Sequence, residues 1–253
     1  MTSLVFFRKE VREIFRTYKI YAVPVIFLLF GFASPLITVL LPEMMESMLE
    51  DMLIQLPEMT WIDSMEQLFS NLNQIGLLAV IITMMGTVAD EKAHGVSLLV
   101  LTKPLTRPAY ILAKFFANLL LVLSATALAF IASYYYTIIL FEGTEFLPAL
   151  SAIGLFGVYA TVIVALTVFC SAIAKSMIAA GGLAIGGLMV LSILPSSHTV
   201  FARYSPAALL RYQSAVLTGT AETSLVWSSV AVSLGTAVIL LLAAILIFSR
   251  QEL

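Results

Sequence analysis

Apolar residues run through this chain in six long blocks, about 20–41, 72–89, 109–141, 151–174, 177–195 and 225–248, with the polar residues between them. Each block approaches or exceeds the about 20 residues that a helix rising 1.5 Å per residue needs to cross roughly 30 Å of hydrocarbon. The pattern predicts an all-α integral membrane protein with six transmembrane helices in a single domain over 1–253. Two of the polar stretches carry a helical period of their own. In 1–19, Phe7, Val11, Ile14 and Phe15 share a face among Arg8, Lys9, Arg12, Arg16 and Lys19, which predicts an amphipathic helix lying in the membrane interface. In 42–71, Met45, Leu49, Met52 and Leu56, then Trp61, Met65, Leu68 and Leu72, repeat at helical spacing on either side of Pro57. That predicts two short amphipathic helices forming an outer cap.

Finer features follow from residue types. Pro24 and Pro35 are expected to bend the first span. The third block is longer than a bilayer requires and opens on Thr106, Arg107 and Pro108, so its first two turns, with Lys114 and Asn118, should stand outside the hydrocarbon. Between the last two blocks Ser205 and Pro206 open, and Gly219 closes, a helix carrying Leu209, Leu210, Val216 and Leu217, expected to be interfacial or partly re-entrant with Arg203 and Arg211 snorkelling. The charged region at the start extends to Lys19 with no small-residue cleavage site after it, so the first block is expected to be a retained span.

Charge orients the pattern. Of 13 Lys and Arg residues, all but Arg203 and Arg211 fall in 1–19, in 90–114, at Lys175 or at Arg250, whereas 42–74 holds seven acidic residues and no basic one. The positive-inside bias then places both termini and the 90–108 loop in the cytoplasm and 42–71 outside. A hydrophobic content of 61% and a mean hydropathy of +1.05 agree with a membrane domain. The single Cys170 excludes an internal disulfide or a cysteine-rich metal centre. Six of the eleven methionines lie in 42–71, where their spacing beside acidic residues reads as adaptable packing, and no metal site is expected.

Absences narrow the chemistry. No Asp, Glu, Lys, Arg or His sits mid-span, against an ion-coupled carrier; there is no HExxH, and no GxxxxGK[ST] loop to cradle phosphates. A passive channel needs a polar lining, and the span hydroxyls Thr83, Thr87, Ser124, Thr126, Ser133, Thr161, Thr167 and Ser171 are few. A membrane scaffold or sensor subunit would show the same spans. In the 90–108 loop, Gly95 opens the run Leu98, Leu99, Val100 and Leu101, closed by Pro104, too short to span and too apolar for a free loop, so it calls for a cover. Gly182 and Gly186 form a GxxxG spacing that fits close helix packing either within one subunit or between two.

These residues carry a family resemblance. Glu91, Lys92, Gly95, the leucine-rich run with Leu98, Leu99 and Leu101, then Pro104, Arg107 and Lys114 stand in the order seen in membrane subunits of type-2 ATP-binding-cassette (ABC) exporters. Lys9 and Glu10, with Arg12 beside them, are similar to that family's N-terminal connecting helix. Leu98 departs from the acidic residue that many members carry there. The resemblance covers nearly the whole chain and implies a permease subunit of a bacterial plasma membrane, paired with a second permease subunit as a homo- or heterodimer and with two cytosolic ATPase subunits. It implies that ATP and Mg are held by those partners, that the central loop is a coupling helix docked in an ATPase groove, and that spans two and five face the translocation path. Spans without charge suit an apolar or amphipathic cargo such as a lipid, hydrophobic drug or membrane-active peptide, and no nucleic-acid partner is expected.

Overall fold

The computed structural model describes residues 3–48, 58–95 and 105–251, and among these it contains helices and short turns with no strand. The helices are α1 (Ser3–Arg16), α2 (Lys19–Met48), α3 (Trp61–Ala93), α4 (Arg107–Leu140), α5 (Phe146–Ile173), α6 (Met177–Ser197), α7 (Thr199–Tyr204), α8 (Ala208–Leu217) and α9 (Thr223–Arg250). Six of them, α2, α3, α4, α5, α6 and α9, are long and apolar enough to cross a membrane.

The fourth span, α5, is the centre of the bundle. Its membrane-length window is 78% buried against 17% for α6 and 22% for α9. The buried side chains Ala149, Ala152, Ala160, Ala165 and Ala172 explain why, because small residues let neighbouring backbones approach from several directions where no hydrophobic force drives helices together. α2 crosses α4 by the same device: a Cβ on Gly31 would lie 2.7 Å from the Ala129 carbonyl oxygen. α2 continues as helix through Pro24, Pro35 and Pro42. Of the span hydroxyls, Ser124, Thr126, Thr161 and Thr167 each donate to a carbonyl three or four residues back on their own helix, which leaves them little to offer a pore.

Two sequence expectations change here. Residues 61–71 are the first turns of the second span rather than a separate cap helix. Asp63 Oδ2 accepts from the Thr60 N–H and hydroxyl at 2.7 Å each, starting the helix, and a π-turn at Leu72–Gly76 absorbs an extra residue without breaking it. The stripe Met65, Leu68 and Leu72 is therefore core-facing, continued by Phe69 and Leu77. Of the other expected cap helix, α2 reaches Met48 and 49–57 lie outside the described residues. On α1 the buried line is Phe6, Glu10 and Ile14, with Phe7 and Val11 half-buried and Phe15 64% exposed. The helix is rotated from its apolar face because a partner waits for Glu10 inside.

At the far end, α8 packs on α5 with Leu209 and Leu217 buried. Gly219 ends it at φ +69°, a conformation that favours glycine, after the expected pattern. The Arg211 guanidinium donates to the Ala202 carbonyl and the Tyr212 hydroxyl to that of Arg203 at 3.0 Å, so the short α7 is capped by α8.

Candidate functional site

The segment between α3 and α4 stands on two feet. α3 stops because Gly95 takes φ +69°, its N–H donating to the Lys92 carbonyl at 3.1 Å. α4 starts after Thr106, with Pro108 in its first turn. Each foot presents a basic side chain to a helix C-terminus, where unpaired carbonyls concentrate negative charge. Arg107 Nη1 donates to the carbonyls of Phe248 (3.1 Å), Ser249 (2.6 Å) and Gln251 (3.1 Å) at the end of α9. Lys92 Nζ donates to the Ala172 carbonyl of α5 at 2.6 Å and to Gln251 Oε1 at 3.0 Å, while Gln251 Nε2 reaches the same Ala172 oxygen at 3.2 Å. Both side chains are thus spent inside the chain. Leu98, Leu99, Leu101 and Pro104 lie outside the described residues.

Beside the feet is a charge cluster. Lys114, on the turns expected to stand outside the hydrocarbon, is 2% exposed within the protein, donating to Glu10 Oε2 at 3.0 Å and Glu91 Oε1 at 2.8 Å. The Tyr110 hydroxyl donates to the other Glu91 oxygen. Lys9 reaches Glu10 at 2.9 Å, Glu13 at 2.5 Å and Glu91 at 3.8 Å. Burial alone would lower the Lys9 pKa, but the Glu10, Glu13 and Glu91 carboxylates outweigh it and raise it. Three carboxylates that lie within 4.8 Å of one another are held together by two ammonium groups. Aromatic rings close the cluster: Phe6 stacks on Tyr110 at 5.5 Å, Tyr110 on Phe248 at 5.2 Å, and Lys114 lies 5.1 Å from the Tyr110 ring centre. In this way α1, α3, α4 and α9 are tied at one point. Arg12, expected to belong to the connecting helix surface, is exposed.

Sequence reasoning missed Tyr110 and Asn118 as members. The signal was present, since Tyr110, Lys114 and Asn118 recur every four residues on one helix face. Asn118 Nδ2 donates to Thr87 Oγ1 at 3.3 Å, and a polar cavity of about 180 Å³ opens there, lined among others by Glu13, Lys19, Thr83 and Met177.

Above the cluster α3 is broken at Met85. Ser171 of α5 inserts its hydroxyl, accepting from the N–H groups of Val88 (2.9 Å) and Ala89 (3.0 Å) and donating to the Met85 carbonyl at 2.7 Å. A side chain inserted into the helix ladder makes a kink that can flex. The segment Gly86–Ala93, which carries Glu91 and Lys92, hangs from this point. It also touches α6: a Cβ on Gly86 would lie 3.2 Å from Met177 Sδ, and one on Gly181 would lie 2.5 Å from Met85 Sδ. Gly182 and Gly186 face the other way, exposed, with nothing within 4 Å of a Cβ placed on them.

The family model of the ABC-2 family transporter protein matches residues 4–253. The chain belongs to the ABC-2 transporter family. The uncharacterized transmembrane protein YxlG of Bacillus subtilis (strain 168) is 26% identical over 213 residues, 83% of this chain and 83% of that protein. The chain is accordingly a multi-pass bacterial membrane protein, a permease subunit of the ABC-2 kind and a transport component that is not itself an ATPase. Membership of this family implies association with ABC ATPase subunits.

Proposed function

We propose that this chain is one half of an ATP-driven exporter whose 94–106 segment is the lever on which a cytosolic ATPase acts. The observation that carries the reading is the pair of anchored feet. Lys92 and Arg107 fasten the segment to the ends of α5 and α9, and the Glu91, Lys114 and Glu10 cluster fastens it to α1 and α4. A push delivered at these two anchors reaches four helices. Because α3 is kinked at Met85, the same push also turns Gly86–Ala93 against Met177 at the head of α6. Spans two and five then change their spacing, and both face the translocation path that lies between the two halves of the transporter.

In this reading the basic end of the bundle is cytoplasmic, and two ATPase subunits hold the ATP and Mg that this chain has no phosphate-binding loop to hold. A second permease, identical or related, packs on the open Gly182 and Gly186 face of α6, where small residues admit a neighbouring backbone. The cargo is apolar or amphipathic, in keeping with the uncharged middles of the spans.

The test is a double change in the segment, Leu98→Asp with Leu101→Asp. Each leucine buried in an ATPase groove would contribute roughly 1.5–3 kcal/mol, and each carboxylate buried without a partner would cost more. The variant should insert and accumulate normally but lose copurification with the ATPase by well over about a hundredfold. Normal copurification would remove the lever from this segment.

A further inference from the structure

We propose that the trench between α1 and α4 is a binding site for an anionic phospholipid, with an acyl chain lying along α4 and the phosphate held by the arginines of α1. The trench has a volume of about 840 Å³ and is open to the side; Leu4 and Phe7 of α1 and Ala109, Phe116, Leu120 and Leu123 of α4 are among its walls. From Pro108 to Leu123 it runs about 22 Å along the helix, headgroup depth for the first turn or two and then roughly the 15 Å of one leaflet. Beyond Leu123 a separate apolar hollow between α4 and α5 begins.

Charge decides the occupant. Arg8 follows Leu4 by one helical turn, next to the trench wall, and Arg12 follows Arg8 by another, farther along the same side of α1; both are exposed. Among the described residues neither has an ion-pair partner, whereas the acids of α1, Glu10 and Glu13, are taken by Lys9 and Lys114 on its other side. α1 therefore offers the trench mouth positive charge that its own carboxylates do not neutralise. Leu4 (75% exposed) and Phe15 (64%) share this side of α1 and mark it as the membrane interface, where an aromatic and basic fringe meets headgroups. A phosphate with a negative net charge fits that mouth; a zwitterionic head gains much less.

The experiment uses the full chain in phosphatidylcholine vesicles containing a minor share of phosphatidylglycerol whose acyl chain carries a photoreactive diazirine. Adducts should map to residues 109–123, and labelled phosphatidylcholine at the same share should give few. Arg8→Gln with Arg12→Gln should lower phosphatidylglycerol adducts by about thirtyfold, at roughly 1 kcal/mol per basic residue. High salt should do the same to the unaltered chain. Ala109→Phe, which narrows the trench at its Pro108 end and leaves the arginines, should also lower the adducts. Equal labelling by both lipids, insensitive to the arginines and to salt, would mean ordinary boundary lipid and overturn the site. A photoreactive group placed at Phe116 that captured a protein chain instead of lipid would overturn it too, making the trench an interface. Neither readout involves ATPase binding or transport, so the lever and the lipid site fail separately.

Discussion

Replacing Lys114 by methionine isolates what the charge cluster contributes. The side chain is 2% exposed and donates to two carboxylates, Glu10 at 3.0 Å and Glu91 at 2.8 Å, whose own exposures are 8% and 13%. Methionine fills most of the volume but leaves two acids facing each other without the ammonium between them. Breaking a buried ion pair from one side costs about 3–5 kcal/mol. The lower end applies here, because Lys9 still reaches Glu10 at 2.9 Å and Tyr110 still donates to Glu91. Adding Glu91→Gln to Lys114→Met removes the stranded charge, so the double variant should recover most of that loss. Denaturant titration of the wild type, both single variants and the double variant in mixed micelles gives the coupling energy, expected at about 2 kcal/mol or more. Additivity within about 0.5 kcal/mol would refute the idea that the pair acts as a unit.

Other changes read other joints. Ser171→Ala should orphan the buried N–H groups of Val88 and Ala89 at a cost of about 1–3 kcal/mol and speed their hydrogen exchange; unchanged protection there would remove Ser171 from the kink. Gly181→Leu should destabilise the single chain through its clash with Met85, whereas Gly182→Leu with Gly186→Leu should leave the chain intact and shift the dimer to monomer in detergent. Lys9, with its pKa raised, contributes stability that is fully present below its ordinary value of 10.5 and is lost only as pH rises through the higher folded value. A titration from neutral pH toward 10.5 should therefore show no loss in wild type that Lys9→Met lacks.

The spans were legible because apolar runs of membrane length leave no other economical fold, and their number and order follow from hydropathy. Trp61 to Leu72 misled because a short amphipathic helix and the polar end of a long span share one period; the π-turn that joins them has no strong sequence mark. The chemistry of the site was half visible. Lys9, Glu10, Glu91, Lys92 and Arg107 stood out as charges beside apolar blocks, and facing outward is the simplest use for such charges. Lys9 pairs with Glu10 and Glu13 close by, but the other partners lie far off along the chain: Lys114 is 104 residues from Glu10, and Arg107 is 141 from Phe248. Local pattern carries no information at that separation. In the sequence Ser171 is one of a few span hydroxyls, and only packing reveals that it mends a broken helix.

The lever account is tested most directly by a distance. Spin labels at Ile82 of α3 and Ile178 of α6, both exposed, in a Cys170→Ala background would straddle the Met85 kink. In the reconstituted complex, trapping the ATPase with ATP and vanadate should shift the separation of the two labels. In Glu91→Gln with Lys114→Met the ATPase should still bind and the shift should shrink, because the segment keeps its Lys92 and Arg107 anchors but loses its tie to α1 and α4. An equal shift in that variant would contradict the account.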